Sequence, residues 1–328
     1  MMKTILTGDR PTGCLHLGHY IGSLENRINM QHDFNTFIMV ANVQALTDYY
    51  DRPELIKSQI FQVVEDYLAV GIDPDKSTIF VQSSVKPLFE MTVYFLNLVS
   101  LARAQQNPTI KDEIKQRGFK ESIPCGFLCY PISQAADITA FLADLVPVGK
   151  DQLPMIEQTN EIVDKFNSLY RCDVLKRCEA VLSSNSRLIG IDGKNKASKS
   201  LKNAIFLNDN DQDLKDKIFS MYTDPAHIKV SDPGNVSENV VFKYLDAFYH
   251  DVSHLNDLKA HYSKGGLGDV YLKNLLFDVL KTFLEPIRER RSRINQTDII
   301  EIISEGNKKA SLIANNTLQK MQQVMCLV

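Results

Sequence analysis

The sequence predicts an α/β fold: a parallel sheet with helices on both faces, followed by a mostly helical second half. Three observations carry this. Short apolar, β-rich runs alternate with helical periodicity through the first half. Their order is βαβαβ, which places strands in parallel and helices on the two faces. From about Asn208 onward the strand signals fade and helical spacing takes over, punctuated by Asp224-Pro225 and Asp232-Pro233-Gly234.

Residues 3–7 read as a buried strand, and a turn holding Pro11 and Gly13 follows. Residues 17–31 carry helical apolar spacing through Leu17, Ile21, Leu24 and Ile28. Residues 36–40 are a second apolar, β-rich run. Residues 53–70 form a helix with Pro53 in its first turn and Gly71 just past its end. Its inner face is marked by Ile56, Ile60, Val63, Val64, Tyr67 and Leu68. Residues 77–82 are the third strand, and a helix follows Pro87. Residues 105–127 read as a long, mobile, charged loop or small insertion. Helices are expected at 130–141 and 151–169, separated by the apolar run 145–148. A soft boundary after a lysine-rich loop gives a first domain of residues 1–204 and a helical domain of 205–301. A last helix, 302–328, is expected to pack back on the first domain.

A chain of 328 residues has room for one large or two medium domains. At 44% hydrophobic and 23% charged it falls among ordinary globular proteins rather than disordered ones. No apolar run approaches the ~18–20 residues of a membrane span. The first residues turn polar at Asp9-Arg10, too soon for a signal peptide, so a cytoplasmic protein without a membrane partner is expected. Cys14, Cys125, Cys129, Cys172, Cys178 and Cys326 show no CxxC pair and no zinc spacing, and read as reduced thiols. No metal-ligating residue is expected. A net charge of −3 argues against a DNA-wrapping protein but leaves room for a local basic surface. One candidate is 281–293, with Lys281, Arg288, Arg290, Arg291 and Arg293 against Glu285 and Glu289. Most of these charges read as an ordinary solvated helix face.

Two segments carry the chemistry. His16-Leu17-Gly18-His19 opens a helix at the carboxyl end of the first strand, where ligands of such sheets bind. His16 and His19, three apart, share a face of the first turn and can donate to phosphate oxygens. Gly18 leaves room for a flat base, and the helix N-terminus favours an anion. Taken alone, the segment fits a capped helix start with incidental histidines equally well. The second segment is Lys196-Ala197-Ser198-Lys199-Ser200, preceded by Gly190 and Gly193 as hinges. A mobile cationic loop can stabilise pyrophosphate as charge builds on it. It is no Walker loop, since GxxxxGK[ST] is absent. Alone it reads as a solvated loop. The two segments in this order on this sheet point to a nucleoside triphosphate attacked at its α-phosphate.

The pair resembles the HIGH and KMSKS motifs of class I aminoacyl-tRNA synthetases. The stretches 130–138 (Tyr-Pro-Ile-Ser-Gln-Ala-Ala-Asp-Ile) and 145–152 (Leu-Val-Pro-Val-Gly-Lys-Asp-Gln) are similar to bacterial tryptophanyl-tRNA synthetases, over essentially the whole chain. The resemblance implies a Rossmann-like catalytic domain and a helical anticodon-binding domain. It implies ATP with Mg²⁺, L-tryptophan and tRNA(Trp) as partners, and a homodimer. It also implies roles for matching residues. Asp137 accepts from the indole N–H, Tyr130 and Gln152 hold the ammonium group, and Leu6, Gln134, Val146 and Val148 line the pocket. His16, His19, Lys111, Lys196 and Lys199 act on ATP, with Gly8, Arg10, Thr12, Gly18, Gly149, Asp151 and Ser198 binding it. Indole nitrogen is a donor only, so a buried carboxylate would select it against phenylalanine, less so against tyrosine. Without the motif, Asp137 reads as a surface carboxylate. Ala197 stands where the motif has methionine. Gln134, Arg10 and Gln44 stand where well-known bacterial members have methionine, glutamine and histidine. A tyrosyl-tRNA synthetase, a cofactor-making nucleotidyltransferase and a catalytically silent, synthetase-like regulator are the alternatives.

Overall fold

The computed structural model describes residues 2–117, 119, 122–182, 188–199 and 201–328, with the backbone alone at 116 and 117. Five strands, β1 (Thr4–Asp9), β2 (Asn35–Val40), β3 (Ser77–Val81), β4 (Leu145–Val148) and β5 (Glu179–Leu182), form one parallel sheet in the order β3-β2-β1-β4-β5. The chain builds outward from β1 to β3, then returns to the other side of β1. The strand order therefore switches between β1 and β4, and the crevice beyond their carboxyl ends is where such sheets hold ligands. Gly8 lets β1 and β2 approach there, since a Cβ on it would lie 2.2 Å from the Met39 carbonyl oxygen.

Helix α1 covers residues 17–30, but as three pieces: an α-turn Leu17–His19, a π-helical stretch Tyr20–Leu24 and an α-helical stretch Glu25–Met30. The apolar spacing predicts one uninterrupted helix and carries no sign of the wider turn. Helix α2 (Pro53–Val70) starts and stops where proline and glycine place it, with Gly71 at φ 108°. Helix α3 (Pro87–Leu96) follows β3.

The stretch 105–127 is not a long loop. It holds the end of α4 (Leu101–Gln106), then α5 (Pro108–Arg117), and the start of α6 (Cys125–Ala140). Pro108 opens α5, and Asn107 Oδ1 accepts the Thr109 N–H at 3.0 Å. Ile110 and, in part, Ile114 are the apolar side chains of α5 that pack inward, so its apolar stripe is too narrow to read as a period. Helix α7 (Leu153–Tyr170) leads to β5, an edge strand of four partly exposed residues without a sequence signature.

The remaining helices are α8 (Asp211–Phe219), α9 (Val240–Phe248), α10 (Val252–Lys264), α11 (Asp269–Arg293) and α12 (Gln296–Val324). Two large apolar clusters lie on the two faces of the sheet. Ile38 and Val40 of β2 join one, with α1, α2 and the inner faces of α8, α9 and α11. Phe37 and Met39 join the other, with α3, α6, α7 and α12. That alternation is the period of two of a strand buried on both faces. Helix α12 lies on the edge strand β3. Gly306 sits so close that a Cβ would be 1.8 Å from the Ile79 carbonyl oxygen, and Asn307 Oδ1 accepts the Val81 N–H at 2.8 Å. The edge is thereby covered.

The basic stretch 281–293 is a different thing from a solvated face. Arg288 Nη1 and Lys281 Nζ reach Asp211 on α8, at 2.6 and 2.8 Å. Arg290 Nε donates to the Ala69 carbonyl at 2.6 Å, and Arg291 pairs with Glu65 and Asp66 on α2. These cations fasten α11 to its neighbours, because α2 and α8 present carboxylates and a helix-end carbonyl to it.

Candidate active site

The site begins where β1 ends. His16 is the N-cap of α1, and its Nδ1 accepts the Gly18 N–H at 3.1 Å. The His16 N–H donates in turn to His19 Nδ1 at 3.2 Å. This is a capping box built from two imidazoles. Because each Nδ1 accepts a backbone N–H, each ring carries its proton on Nε2. Burial, with help from neighbouring cations, lowers the pKa of His16 to about 2. Burial also lowers that of His19 to about 4, against the opposing pull of Asp9. Both rings are therefore neutral Nε2–H donors at neutral pH. The Cβ that Gly18 lacks would meet the His16 ring at 2.9 Å, so the glycine gives that ring its place.

The second segment is brought alongside by a short pairing that the sequence does not announce. Leu17 N–H donates to Ile205 O at 2.9 Å, Leu207 N–H donates to Leu15 O at 3.1 Å, and His16 bridges to Phe206. The lysine loop is thus anchored within a few residues of the histidines. Asn203, buried behind it, accepts the Ser198 N–H at 2.8 Å. Its amide donates to Asp192 at 3.1 Å and to the Lys196 carbonyl at 3.3 Å. Gly190 and Gly193 are close-packed rather than hinge-like here: a Cβ on Gly190 would lie 2.1 Å from Asn203, and one on Gly193 3.0 Å from Tyr222. Lys199 Nζ donates to the Gly13 carbonyl at 2.6 Å, and burial lowers its pKa. Ser200 lies outside the described residues.

Two cavities meet at this point, sharing Arg10, Thr12 and His19. The first, about 400 Å³, runs into the crevice between β1 and β4. Leu6 and Gly8 of β1, Val146 and Val148 of β4, and Gly149 just beyond line one part of it. Tyr130, Gln134 and Asp137 of α6, with Gln152, line another. The second, about 610 Å³, is lined by His16, Gly18, Lys196, Ser198 and Lys199. Of the residues singled out from the sequence, Lys111 and Asp151 line neither cavity. Lys111 is exposed on α5, which presents Glu113 to the first cavity instead. Asp151 contributes its carbonyl to Thr109 at 2.7 Å.

Asp137 is 1% exposed. Burial raises its carboxyl pKa to about 7, and the donor that opposes the rise is the Gln82 amide, at 3.1 and 2.9 Å from its two oxygens. Gln82 Oε1 accepts the Gln44 N–H at 3.1 Å, which fixes which end of the amide faces Asp137. Deep on the β1 side, Asp9 accepts from Arg27 Nη1 at 2.6 Å and from the Tyr67 hydroxyl at 2.7 Å. Burial would raise the Asp9 pKa, but the Arg27 guanidinium outweighs it and holds it at about 2. The pairings of Gln82 with Asp137 and of Asp9 with Arg27 and Tyr67 escape sequence reading. They sit in no local motif and are made only through the sheet.

Among the described residues no group of three or more His, Cys, Asp or Glu is gathered as a metal cage. No helix among them is long and apolar enough to cross a membrane.

Comparison with known proteins agrees with this geometry. The sequence matches the family of class I tRNA synthetases (W and Y) over residues 2–285. It is 54% identical over 329 residues to the tryptophan–tRNA ligase of Clostridium longisporum, covering 98% of this chain and 96% of that one. It is likewise 54% identical over 331 residues to the tryptophan–tRNA ligase of Lactococcus lactis, covering 98% and 97%. The structure superposes on the tryptophanyl-tRNA synthetase of Campylobacter jejuni complexed with ADP and tryptophan at a TM-score of 0.87. That match has 30% identity and covers 98% of this chain and 99% of that one. With its two imidazoles, its lysine loop and its crevice at the β1/β4 switch, the chain belongs to the class I tRNA synthetases of the W and Y family, among the tryptophan–tRNA ligases.

Proposed function

We propose that this protein activates L-tryptophan with ATP and passes the aminoacyl group to tRNA(Trp). The observation that carries the choice of amino acid is Asp137. It is a buried carboxylate lining the first cavity, steadied by the Gln82 amide, with no cation paired to it among the described residues. A buried acceptor of this kind rewards a ligand that brings a donor and nothing else, which is what an indole N–H offers. Leu6, Val146 and Val148 then pack on the ring, with Gln134 beside it. Tyr130 and Gln152 hold the ammonium group.

In the first step a tryptophan carboxylate oxygen bonds to the α-phosphorus of ATP as the bond to the bridging oxygen breaks. Pyrophosphate leaves with that electron pair. The nucleophile is already ionised, so no general base is required, and catalysis lies in positioning and in stabilising phosphate charge. His16 and His19 donate through Nε2, while Lys196 and Lys199 balance the charge that builds on the leaving group. Gly8, Arg10, Thr12, Gly18, Gly149 and Ser198 shape the nucleotide side. Lys111 and Asp151 enter this scheme only through a movement of α5 and the turn after β4. The described residues offer no cage for a resident Mg²⁺, so Mg²⁺ enters as part of the nucleotide substrate. In the second step a terminal hydroxyl of tRNA takes the aminoacyl group and AMP leaves.

Residues 205–301 would bind the anticodon, and residues 1–204 with the last helix would form the catalytic body. A homodimer is supported by the exposed apolar side chains Val93 and Leu96 on α3 and Leu101 on α4, and a cytoplasmic location goes with this activity. The deciding experiment is pyrophosphate exchange into ATP with each amino acid supplied separately. Exchange with tryptophan alone is expected. Exchange with tyrosine instead would overturn the pocket assignment, and no exchange, with or without tRNA, would overturn the activity.

A further inference from the structure

The segment Leu15–Leu17, which carries His16, is held from two sides. On one side it pairs with residues 205–207. The chain then runs into α8, whose Asp211 is bound by Arg288 and Lys281 of α11. On the other side the Leu15 N–H donates to Asp66 Oδ2 at 2.7 Å. Asp66 lies on α2, is 0% exposed, and its second oxygen accepts from Arg291 Nη1 of α11. Arg291 Nη2 reaches the neighbouring Glu65. Both holds on the histidine segment therefore return to one helix in the second half of the chain.

A carboxylate buried this fully for a single backbone N–H is an expensive way to satisfy one donor. Its second function is visible in Arg291, which fixes the carboxylate and ties its position to α11. Asp66 itself lines neither cavity. We propose that Asp66 is a positioning residue for adenylate formation, holding Leu15, and through it the His16 ring, in register with the nucleotide under the grip of Arg291. This rests on the assignment of His16 to the ATP step. It implies that whatever moves α11, tRNA included, reaches the histidines through this carboxylate. A misplacement of order 1 Å at a donor is enough to cost about 10²-fold in rate.

The test uses tryptophan-dependent pyrophosphate exchange by the full chain, with tryptophan binding read separately from the fluorescence of the bound ligand. Arg291→Met leaves a buried carboxylate unpaired and is expected to lower kcat by about tenfold or more, with tryptophan affinity within about twofold of wild type. Asp66→Asn/Arg291→Met removes the stranded charge but keeps an oxygen for the Leu15 N–H. It is expected to recover to within about threefold of wild-type kcat. A merely structural role would lower the urea midpoint and leave kcat per folded molecule unchanged. Folded Arg291→Met with wild-type kcat, or a double variant no better than the single one, would overturn the proposal. If Arg291→Met does not fold, Asp66→Asn and Asp66→Ala decide: equal losses in the two overturn it, and a loss confined to alanine supports it. Failure of the wild type to exchange would instead remove the underlying assignment.

Discussion

The Gln82 amide donates to both oxygens of Asp137, at 3.1 and 2.9 Å, and is itself aimed by the Gln44 N–H. Asp137 thus has a fixed orientation but little to keep it ionised, and its pKa stands at about 7 instead of 3.8. For the proposed indole N–H the carboxylate is the stronger acceptor, the protonated carboxyl a weaker one. With the carboxyl pKa raised, the stronger acceptor gives way to the weaker one as pH falls through about 7, so tryptophan affinity should fall in that direction. About a tenth of the group is ionised one unit below its pKa, so binding should weaken by up to about tenfold from pH 8 to pH 6. The chain contains no tryptophan, and fluorescence of the bound ligand can follow this against little background. Gln82→Leu should move the midpoint upward. Asp137→Asn should flatten the profile and lower kcat/KM for tryptophan by about 10- to 100-fold. A profile that stays flat in the wild type would separate Asp137 from the indole.

The two histidines make an opposite prediction. With pKa values near 2 and 4, neither gains a proton between pH 6 and 9, so kcat should show no histidine limb there. In the proposed role, what matters is the Nε2–H of each ring. His19→Gln can place an amide N–H near that position, whereas His19→Asn reproduces only the Nδ1 side. We expect the glutamine variant to retain more activity than the asparagine one. His19→Ala should lose about 10²-fold or more in kcat, the usual cost of a donor aimed at developing charge. Equal losses in glutamine and asparagine variants would point to the capping role of Nδ1 instead.

How much of this was legible in the sequence follows from distance along the chain. The bounds of α2 are written in Pro53 and Gly71, and the histidines and lysines each fall within one short motif. The order of β1, α1, β2, α2 and β3 is read from alternating periods alone. The failures share a cause. Helix α5 hides behind its charges because its inward apolar side chains are just Ile110 and Ile114, and β5 is too short and too exposed to alternate. Gln82 and Asp137 lie 55 residues apart, and Tyr67 is 58 residues from Asp9. No periodicity or motif brings such pairs together; the sheet does. The same holds for Arg291, whose partners on α2 turned an apparent surface charge into an internal one.

The pair Asp9–Arg27 allows a stability prediction with a definite sign. Arg27 is 3% exposed, and its guanidinium also approaches the Gly8 carbonyl at 3.3 Å. The Asp9 pKa is lowered from 3.8 to about 2, so its contribution is present above pH 4 and disappears as pH falls toward 2. That contribution is about 2 kcal/mol. Arg27→Met leaves the carboxylate buried and unpaired and should cost about 3–5 kcal/mol near neutral pH. Urea denaturation at pH 6 and pH 3 checks both points, because the cost of Arg27→Met should shrink at the lower pH. A cost that does not change with pH would mean that the contact of the Arg27 guanidinium with the Tyr67 ring, not the charge pair, is what the variant removes.

Asn203 offers the sharpest test of how the lysine loop is held. One side chain accepts from Ser198 and donates to Asp192 and to the Lys196 carbonyl, so it spans the loop from its turn to its two lysines. Gly190 is the necessary neighbour, since any Cβ there would occupy the Asn203 amide. Replacing Asn203 by alanine removes three hydrogen bonds from a buried position and frees the lysines to wander. Tryptophan, proposed to bind in the other cavity, should be indifferent. Asn203→Ala is therefore expected to lower kcat by about tenfold or more and to leave the KM for tryptophan within about twofold. Gly190→Ala, which pushes the same amide aside while adding one methyl, should reproduce that pattern. If both variants weaken tryptophan binding as much as turnover, the loop acts on the whole crevice rather than on the phosphates, and the division of labour between the two cavities fails.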